Sequence, residues 1–445
     1  MLGSPPHWVG PADTMLQLGN NWDHGLQAVA RSDVGLRRGN NQDSLATALA
    51  SSVEKWKSRG HLFVVADGMG AHAAGELASK LATDTVPLVY NKLRDLAPPE
   101  ALRAAVAEAN LEIHRRGQAS EDFRGMGTTA SALVLLPQGA VTAQVGDSRV
   151  YRWRADRLEQ LTFDHSLVWE MRAAGQISGE DGIDFIPRNI ITRSLGPNPE
   201  VQIDLEGVFP IQPGDVYLLC SDGLSGQVLD EEIGKILGCM EPEEAVDALV
   251  HLANLRGGPD NITAIVVRVA RIPDHDGRGH SSSPVTVRRP VNPLVAGLAG
   301  LFALGALALL MAGYLLAAFV SLVAMGISGL MAAWQRYSGP PAPTYEFDGK
   351  PLGRGPYAAW ECKPDQSFTE RLSVIAEELR EAAQNERWMV DWNHFNMHCN
   401  QAYAAGHLGD YGKAVSEYCR AISFMMSELR NQRRRSHSND AGALN

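Results

Sequence analysis

From Trp22 to Ala270 short apolar runs rich in β-branched residues alternate with longer segments of helical spacing. Runs at 27–30, 61–66, 129–136, 140–145, 149–154, 215–220 and 262–269 read as strands, each bounded by turn-forming residues. Segments at 72–90, 100–116, 166–174 and 243–255 read as helices, the last opened by Pro242 at a first-turn position. Several strands follow one another through hairpin-sized links such as Pro137-Gln138-Gly139 and Gly146-Asp147-Ser148. Links that short cannot hold a parallel crossover, so the pattern predicts an α+β domain of mainly antiparallel sheets covered by helices.

Two of the apolar runs end in an acid. Val64-Val65-Ala66 passes into Asp67-Gly68-Met69-Gly70, and Tyr217-Leu218-Leu219-Cys220 into Ser221-Asp222-Gly223. A carboxylate at the tip of a buried strand loses several kcal/mol or more of solvation unless a cation meets it. Acids at Asp43, Asp147 and Asp260 also stand beside turns or strands. Convergence of all five predicts one divalent-metal site.

Beyond residue 270 the pattern changes. Residues 271–293 are polar, proline-punctuated and aperiodic, which predicts a linker. Residues 294–334 then carry no charged side chain, whereas a bilayer span takes about 20 apolar residues. Two helices joined by a tight turn near Gly313 or Ser321 would use the whole run; one tilted span with a buried or interfacial segment is the alternative. A buried soluble helix is seldom apolar on every face over such a length. Arg288 and Arg289 precede the run and Arg336 follows it, so the positive-inside rule favours a hairpin with both ends in the cytoplasm.

A second linker is expected at 335–366, a helical tail at 367–435 and a disordered end at 436–445; residues 1–21 read as an N-terminal extension. In the tail, Asn400-Gln401-Ala402-Tyr403, then Gly409-Asp410-Tyr411-Gly412-Lys413-Ala414, Tyr418 and Ala421 resemble one tetratricopeptide repeat, a surface that could recruit a protein partner. An ordinary helical hairpin accounts for the same residues equally well.

Composition narrows the classes. The chain has 445 residues, 45% hydrophobic and 20% charged, enough for two or three globular domains. A net charge of -11, with Arg433-Arg434-Arg435 the basic run, excludes a general nucleic-acid binder. Five cysteines (Cys220, Cys239, Cys362, Cys399, Cys419) without CxxC spacing exclude a disulfide scaffold and a thiolate zinc site, and fit a reducing compartment. The first twenty residues lack a basic start followed by a hydrophobic core, so no secretory signal is expected.

Seven motifs in order make the reading specific. They are Asp33-Val34-Gly35-Leu36-Arg37-Arg38-Gly39-Asn40-Asn41-Gln42-Asp43, Asp67-Gly68-Met69-Gly70, Gly125-Met126-Gly127-Thr128-Thr129 and Val145-Gly146-Asp147-Ser148-Arg149. Leu161-Thr162-Phe163-Asp164-His165-Ser166-Leu167, Ser221-Asp222-Gly223 and Gly258-Pro259-Asp260-Asn261-Ile262-Thr263 follow. Over residues 22–270 the chain resembles the metal-dependent type 2C protein serine/threonine phosphatases, in the short bacterial style. That resemblance implies a four-layer α-β-β-α sandwich of two mainly antiparallel sheets flanked by helices.

It also implies the chemistry. Phosphomonoester hydrolysis needs a deprotonated water and cations that stabilise charge on the transferred phosphoryl group, and two metals about 3.5–4 Å apart supply both. By resemblance Asp67 bridges two manganese or magnesium ions, Asp43 and the Gly68 carbonyl complete one side, and Asp222 and Asp260 the other. Asp147, shared with Asp222, would hold a third, weaker ion; a hairpin-turn role is its alternative. Arg38 matches the arginine that grips the substrate phosphate, with Arg37 the competing candidate. The implied reaction is direct attack of a metal-bridging hydroxide on phosphorus. Its substrates are phosphorylated proteins, targets of a serine/threonine kinase, and the chain would be tethered to a bacterial inner membrane with the phosphatase domain cytoplasmic. The alternative is an inactive phosphoprotein-binding scaffold of the same fold.

Departures from the pattern have consequences. Met69 stands where animal relatives carry a histidine proposed as general acid, so the acid is unassigned. His72, His165 and Asp33 read as structural, and Asn261 as orienting the Asp260 loop or forming its turn. Ala71 replaces a glycine and Gln42 a glutamate; neither removes a metal ligand. The segment 176–199 occupies the position of the family's variable flap.

Overall fold

The structure is a computed structural model and describes residues 7–8, 14–17, 25–70, 73–177, 187, 190–272, 293–337 and 351–442. The strands among the described residues are His7–Trp8 (β1), Thr14–Gln17 (β2), Leu26–Asp33 (β3), Asp43–Ala48 (β4), His61–Met69 (β5), Gly127–Thr128 (β6) and Ala130–Leu136 (β7). Gly139–Val145 (β8), Arg149–Arg154 (β9), Arg157–Gln160 (β10), Asp204–Phe209 (β11), Val216–Cys220 (β12), Ile262–Val269 (β13) and Ala358–Glu361 (β14) complete them. The helices are Val53–Arg59 (α1), Ala74–Lys92 (α2), Pro98–Ala119 (α3), Leu167–Ala173 (α4), Asp222–Ser225 (α5), Asp230–Cys239 (α6) and Pro242–Leu255 (α7). After these come Pro293–Met311 (α8), Leu315–Tyr337 (α9), Gln366–Asn385 (α10), Trp392–His407 (α11) and Tyr411–Gly442 (α12).

The strands form two antiparallel sheets, β1-β4-β5-β7-β8-β11 with β6 beside β5, and β14-β10-β9-β12-β13-β3-β2. Side-chain parity explains the layering. On β5, Leu62, Val64 and Ala66 pack on Ala78, Ala82 and Val86 of α2 and on Leu102 and Val106 of α3. Phe63, Val65 and Asp67 therefore face the other way, toward the second sheet. There Leu218 and Cys220 of β12 and Ala264 and Val266 of β13 pack on Ile233 and Ile236 of α6 and Leu249 and Ala253 of α7. The expected helix-sheet-sheet-helix order follows.

The chain divides into two compact units. Met1–Ser52, Arg59–Asp274 and Phe347–Asn445 make one, and Val53–Ser58 with His275–Glu346 the other. The first unit contains the C-terminal tail. Phe368, Leu372 and Ala376 of α10, Phe395 and Ala402 of α11, and Val415, Tyr418, Ile422 and Met425 of α12 belong to the same buried core as α6 and α7. The expected repeat-like residues thus form a helical hairpin whose apolar faces meet the chain's own two-sheet domain, and the expectation of a free tetratricopeptide surface is not supported. β14 lies inside the expected second linker and adds a strand to β10, Leu158 facing Trp360. β1 and β2 lie inside the expected extension, and α12 runs through part of the expected disordered end.

In the second unit, α8 and α9 are joined by a turn at Gly313, where φ is 81°. Ala306 and Ala318 are buried, and the Ser321 hydroxyl donates to the Phe302 carbonyl at 3.1 Å. Among the described residues no helix is long and apolar enough to cross a membrane. The expected transmembrane helix is therefore not supported, although the tight turn falls at one of the two expected positions.

A shared core predicts shared unfolding. Phe368→Ala deletes a fully buried ring and should lower stability by about 3–5 kcal/mol. In denaturant, sheet and tail signals should fall in one transition; separate transitions for tail and sheets would contradict the common core.

Candidate metal centre

Every acid singled out by the sequence sits at one end of the two-sheet sandwich, for topological reasons. Asp43 opens β4 and stands directly opposite Asp67 near the end of β5. Asp147 lies in the hairpin between β8 and β9, Asp222 follows β12, and Asp260 precedes β13. Because each neighbouring pair is antiparallel, the end of one strand and the start of the next coincide in space.

The carboxylates are held at close quarters. Asp67 is fixed through its backbone, whose N–H donates to the Thr129 hydroxyl at 2.9 Å and whose carbonyl accepts from the Thr128 hydroxyl at 2.8 Å. Across the sheets the Ser221 hydroxyl donates to Asp43 at 2.7 Å. At Gly68 a Cβ would lie 2.1 Å from the Gly75 carbonyl oxygen and 2.5 Å from that of Gln42, so glycine is required where the start of α2 closes on β5.

Burial, with like charges around it, raises these acids. Asp43 is pushed up to about 7 by burial, with Asp222 and Asp260 adding to the rise against hydrogen bonds from Ser221 and Thr263. Asp147 is pushed up to about 7 by burial and by Asp222 and Asp164. Asp67 rises well above the ordinary carboxylate range through burial and the charges of Asp43, Asp222 and Asp147. Asp222 rises through burial, although the hydrogen bond it shares with Asp67 works in the opposite direction.

Three carboxylate oxygens, one each on Asp43, Asp147 and Asp222, are buried without a hydrogen-bond partner. Crowded, raised carboxyls and three orphaned oxygens are what acids leave when a cation is due between them. Among the described residues no group of three or more His, Cys, Asp or Glu is arranged to hold one ion. Hard ions that keep several waters, as magnesium does, need few direct protein oxygens, and an oxygen-only donor set suits magnesium or manganese. The donor chemistry therefore fits the group that the sequence calls for.

Arg38 reaches the same end and donates to Asp260 at 2.7 Å, with its side chain half exposed. Arg37 is placed by its backbone N–H, which donates to the Gly258 carbonyl at 3.2 Å. Asn261 ties the loops together: its side-chain amide donates to the Val34 and Asn40 carbonyls, and its oxygen accepts from the Gln42 N–H. His165 is fully buried and accepts from the Gly146 N–H at Nδ1, with Asp204 2.9 Å from Nε2. It therefore supports the hairpin that carries Asp147. Asp33 is buried and accepts from the Gly35 N–H at 2.9 Å. Ala71, His72 and residues 178–186 and 188–189 of the expected flap lie outside the described residues.

Sequence reading missed the supporting hydroxyls. Thr128, Thr129 and Ser221 were visible only as parts of motifs, since their partners are set by register across and between sheets.

Comparison with known proteins gives the class. The family model for protein phosphatase 2C matches residues 37–253. The serine/threonine phosphatase stp of Listeria innocua is 37% identical over 247 residues, covering 54% of this chain and 95% of that protein. The crystal structure of the Mycobacterium tuberculosis serine/threonine phosphatase PstP/Ppp is 36% identical with a TM-score of 0.50, covering 56% of this chain and all of that one. A solved catalytic domain of PstP in complex with two manganese ions is 35% identical, over 56% of this chain and 99% of that chain, with a TM-score of 0.47. The chain belongs to the protein phosphatase 2C family and is a protein phosphatase of that type.

The raised acids make the metal-free protein sensitive to pH. Asp43 and Asp147 bind protons more tightly folded than unfolded, so their protonation stabilises the fold at low pH, and that contribution is lost as pH rises from about 4 through about 7. Denaturant titrations in chelator should show stability falling across this window, and manganese should restore it at pH 7.5. A stability that rises across the window in chelator would contradict the crowded, proton-bearing cluster.

Proposed function

We propose that the chain hydrolyses phosphoserine and phosphothreonine esters of proteins, with two divalent ions held by Asp43, Asp67, the Gly68 carbonyl, Asp222 and Asp260. Asp147 extends the set to a third, weaker ion. The observation that carries this is the trio of orphaned carboxylate oxygens on Asp43, Asp147 and Asp222, gathered beside a half-exposed arginine. Manganese or magnesium, when bound, would supply Lewis acidity toward the phosphoryl oxygens and lower the pKa of water.

The chain's own residues do the rest. Arg38 is the phosphate grip: a planar fork suits two phosphoryl oxygens, and its present partner Asp260 is the acid from which an ion would release it. Ser221 and Thr129 fix the orientation of Asp43 and Asp67, so the acids need not reorganise during turnover. Met69 follows the Asp67-Gly68 pair and His165 is occupied by Gly146 and Asp204, so neither position supplies a proton to the leaving group. Protonation of the leaving oxygen is left to water or to another group.

The apolar hairpin is the membrane-holding element in this reading. Leu304, Leu307, Leu316 and Phe319 are exposed on its two helices, an apolar surface that water does not favour. The chain leaves the first unit after residue 272 and returns to it by residue 351. In this reading both ends of the hairpin face the cytoplasm, the side that Arg288, Arg289 and Arg336 favour.

Two outcomes are expected. Asp67→Asn and Asp222→Asn should each cost several kcal/mol of transition-state stabilisation, about 10³-fold in manganese-dependent hydrolysis of a phosphothreonine peptide, with the fold retained by circular dichroism. Retained turnover would overturn the assignment. In vesicle flotation the full chain should rise with anionic phospholipid vesicles and a chain lacking residues 294–334 should stay in the dense fraction; equal behaviour would remove the membrane reading.

A further inference from the structure

The C-terminal helix reaches the loop that carries Arg38. We propose that Arg430, in the second half of α12, is a positioning residue for the Asp33–Arg38 loop and, through it, for the phosphate grip; the second part rests on the reading of Arg38 above. The link starts at Asp33, whose side chain is 3% exposed and whose Oδ2 takes the Arg430 guanidinium. Its Oδ1 accepts from the Gly35 N–H at 2.9 Å and from Asn254 at 3.2 Å. Burial alone would raise the Asp33 carboxyl, but it lies below the ordinary range, with the Arg430 charge the largest opposing cause.

From Asp33 the loop is stacked on the segment that carries Asp260. Gly35 has a φ of +80°, and a Cβ on it would sit 2.1 Å from the Asp260 carbonyl oxygen. The N–H groups of Leu36 and Arg37 both donate to the Gly258 carbonyl, at 2.9 and 3.2 Å. The next residue, Arg38, spans to the Asp260 carboxylate. Movement of Asp33 is therefore passed to Arg38 through three residues of constrained backbone.

The donor is itself held firmly. Arg420, nearly three turns earlier on α12, grips Glu244 of α7 with two hydrogen bonds of 2.9 and 2.8 Å. Val415, Ile422 and Met425 of α12 are buried in the core shared with α6 and α7. Lys235 of α6 donates to Asp365 at 2.5 Å, which pins the start of α10. Arg31 stands 4.0 Å from the same Asp33 oxygen, so loss of Arg430 loosens the loop and leaves it partly held.

The test uses the full chain and four variants: Arg430→Ala, Arg430→Lys, Arg38→Ala and the Arg38→Ala/Arg430→Ala double. Amide hydrogen exchange over residues 33–39 and steady-state kinetics on a phosphothreonine peptide with manganese are the readouts. Arg430→Ala should speed exchange in that segment and raise KM about fivefold with kcat within about twofold, and Arg430→Lys should recover most of the change. The double variant should be no worse than Arg38→Ala alone, because the two residues act in series. Unchanged exchange and KM with only a lower Tm, or effects that multiply in the double variant, would overturn the proposal. If Arg430→Ala speeds exchange but Arg38→Ala leaves KM unchanged, loop positioning stands and the phosphate role of Arg38 fails.

Discussion

Repulsion among buried carboxylates is the constraint on which this molecule is built. Asp43, Asp67, Asp147 and Asp222 are each raised by burial, and each feels at least one of the others or a neighbouring acid. A fold that merely avoided this cost would scatter the acids along exposed loops. Here the antiparallel pairing of both sheets returns every relevant strand to the same end, and side-chain parity turns Asp67 inward toward the second sheet. The cost is tolerable because the surrounding core is large, and useful because a divalent cation converts the repulsion into binding energy.

Most of that arrangement could be read from the chain because its signals are local. Val64-Val65-Ala66-Asp67 and Leu218-Leu219-Cys220-Ser221-Asp222 announce strands that end in acids, and the structure brings those acids together. β4 was not foreseen as a strand, since Asp43–Ala48 lacks the β-branched run that marks the others and owes its conformation to pairing with β5. β14 has the same origin: Ala358–Glu361 has little intrinsic preference and becomes a strand on the free edge of β10. The hydroxyls of Ser221 and Thr129 were illegible because their worth depends on which acid or backbone group lies across a sheet or between sheets.

The docking of the tail was illegible for a related reason. Small residues and aromatics at helix crossings, as in Ala402, Tyr418 and Ala421, mark a helix pair but do not say what its apolar face will cover. Its cover is α6 and α7, supplemented by polar ties that join residues far apart in sequence, Lys235 with Asp365 and Arg420 with Glu244. None of these pairs has a signature in the sequence, because each half is an ordinary surface residue until the two bodies meet.

That docking has a topological consequence for the apolar segment between. A single span would put residues before 294 and after 334 on opposite sides of a bilayer, and a tail on the far side could not share a core with α6 and α7. The common core therefore admits only excursions that return, and a helical hairpin turning at Gly313 is such an excursion.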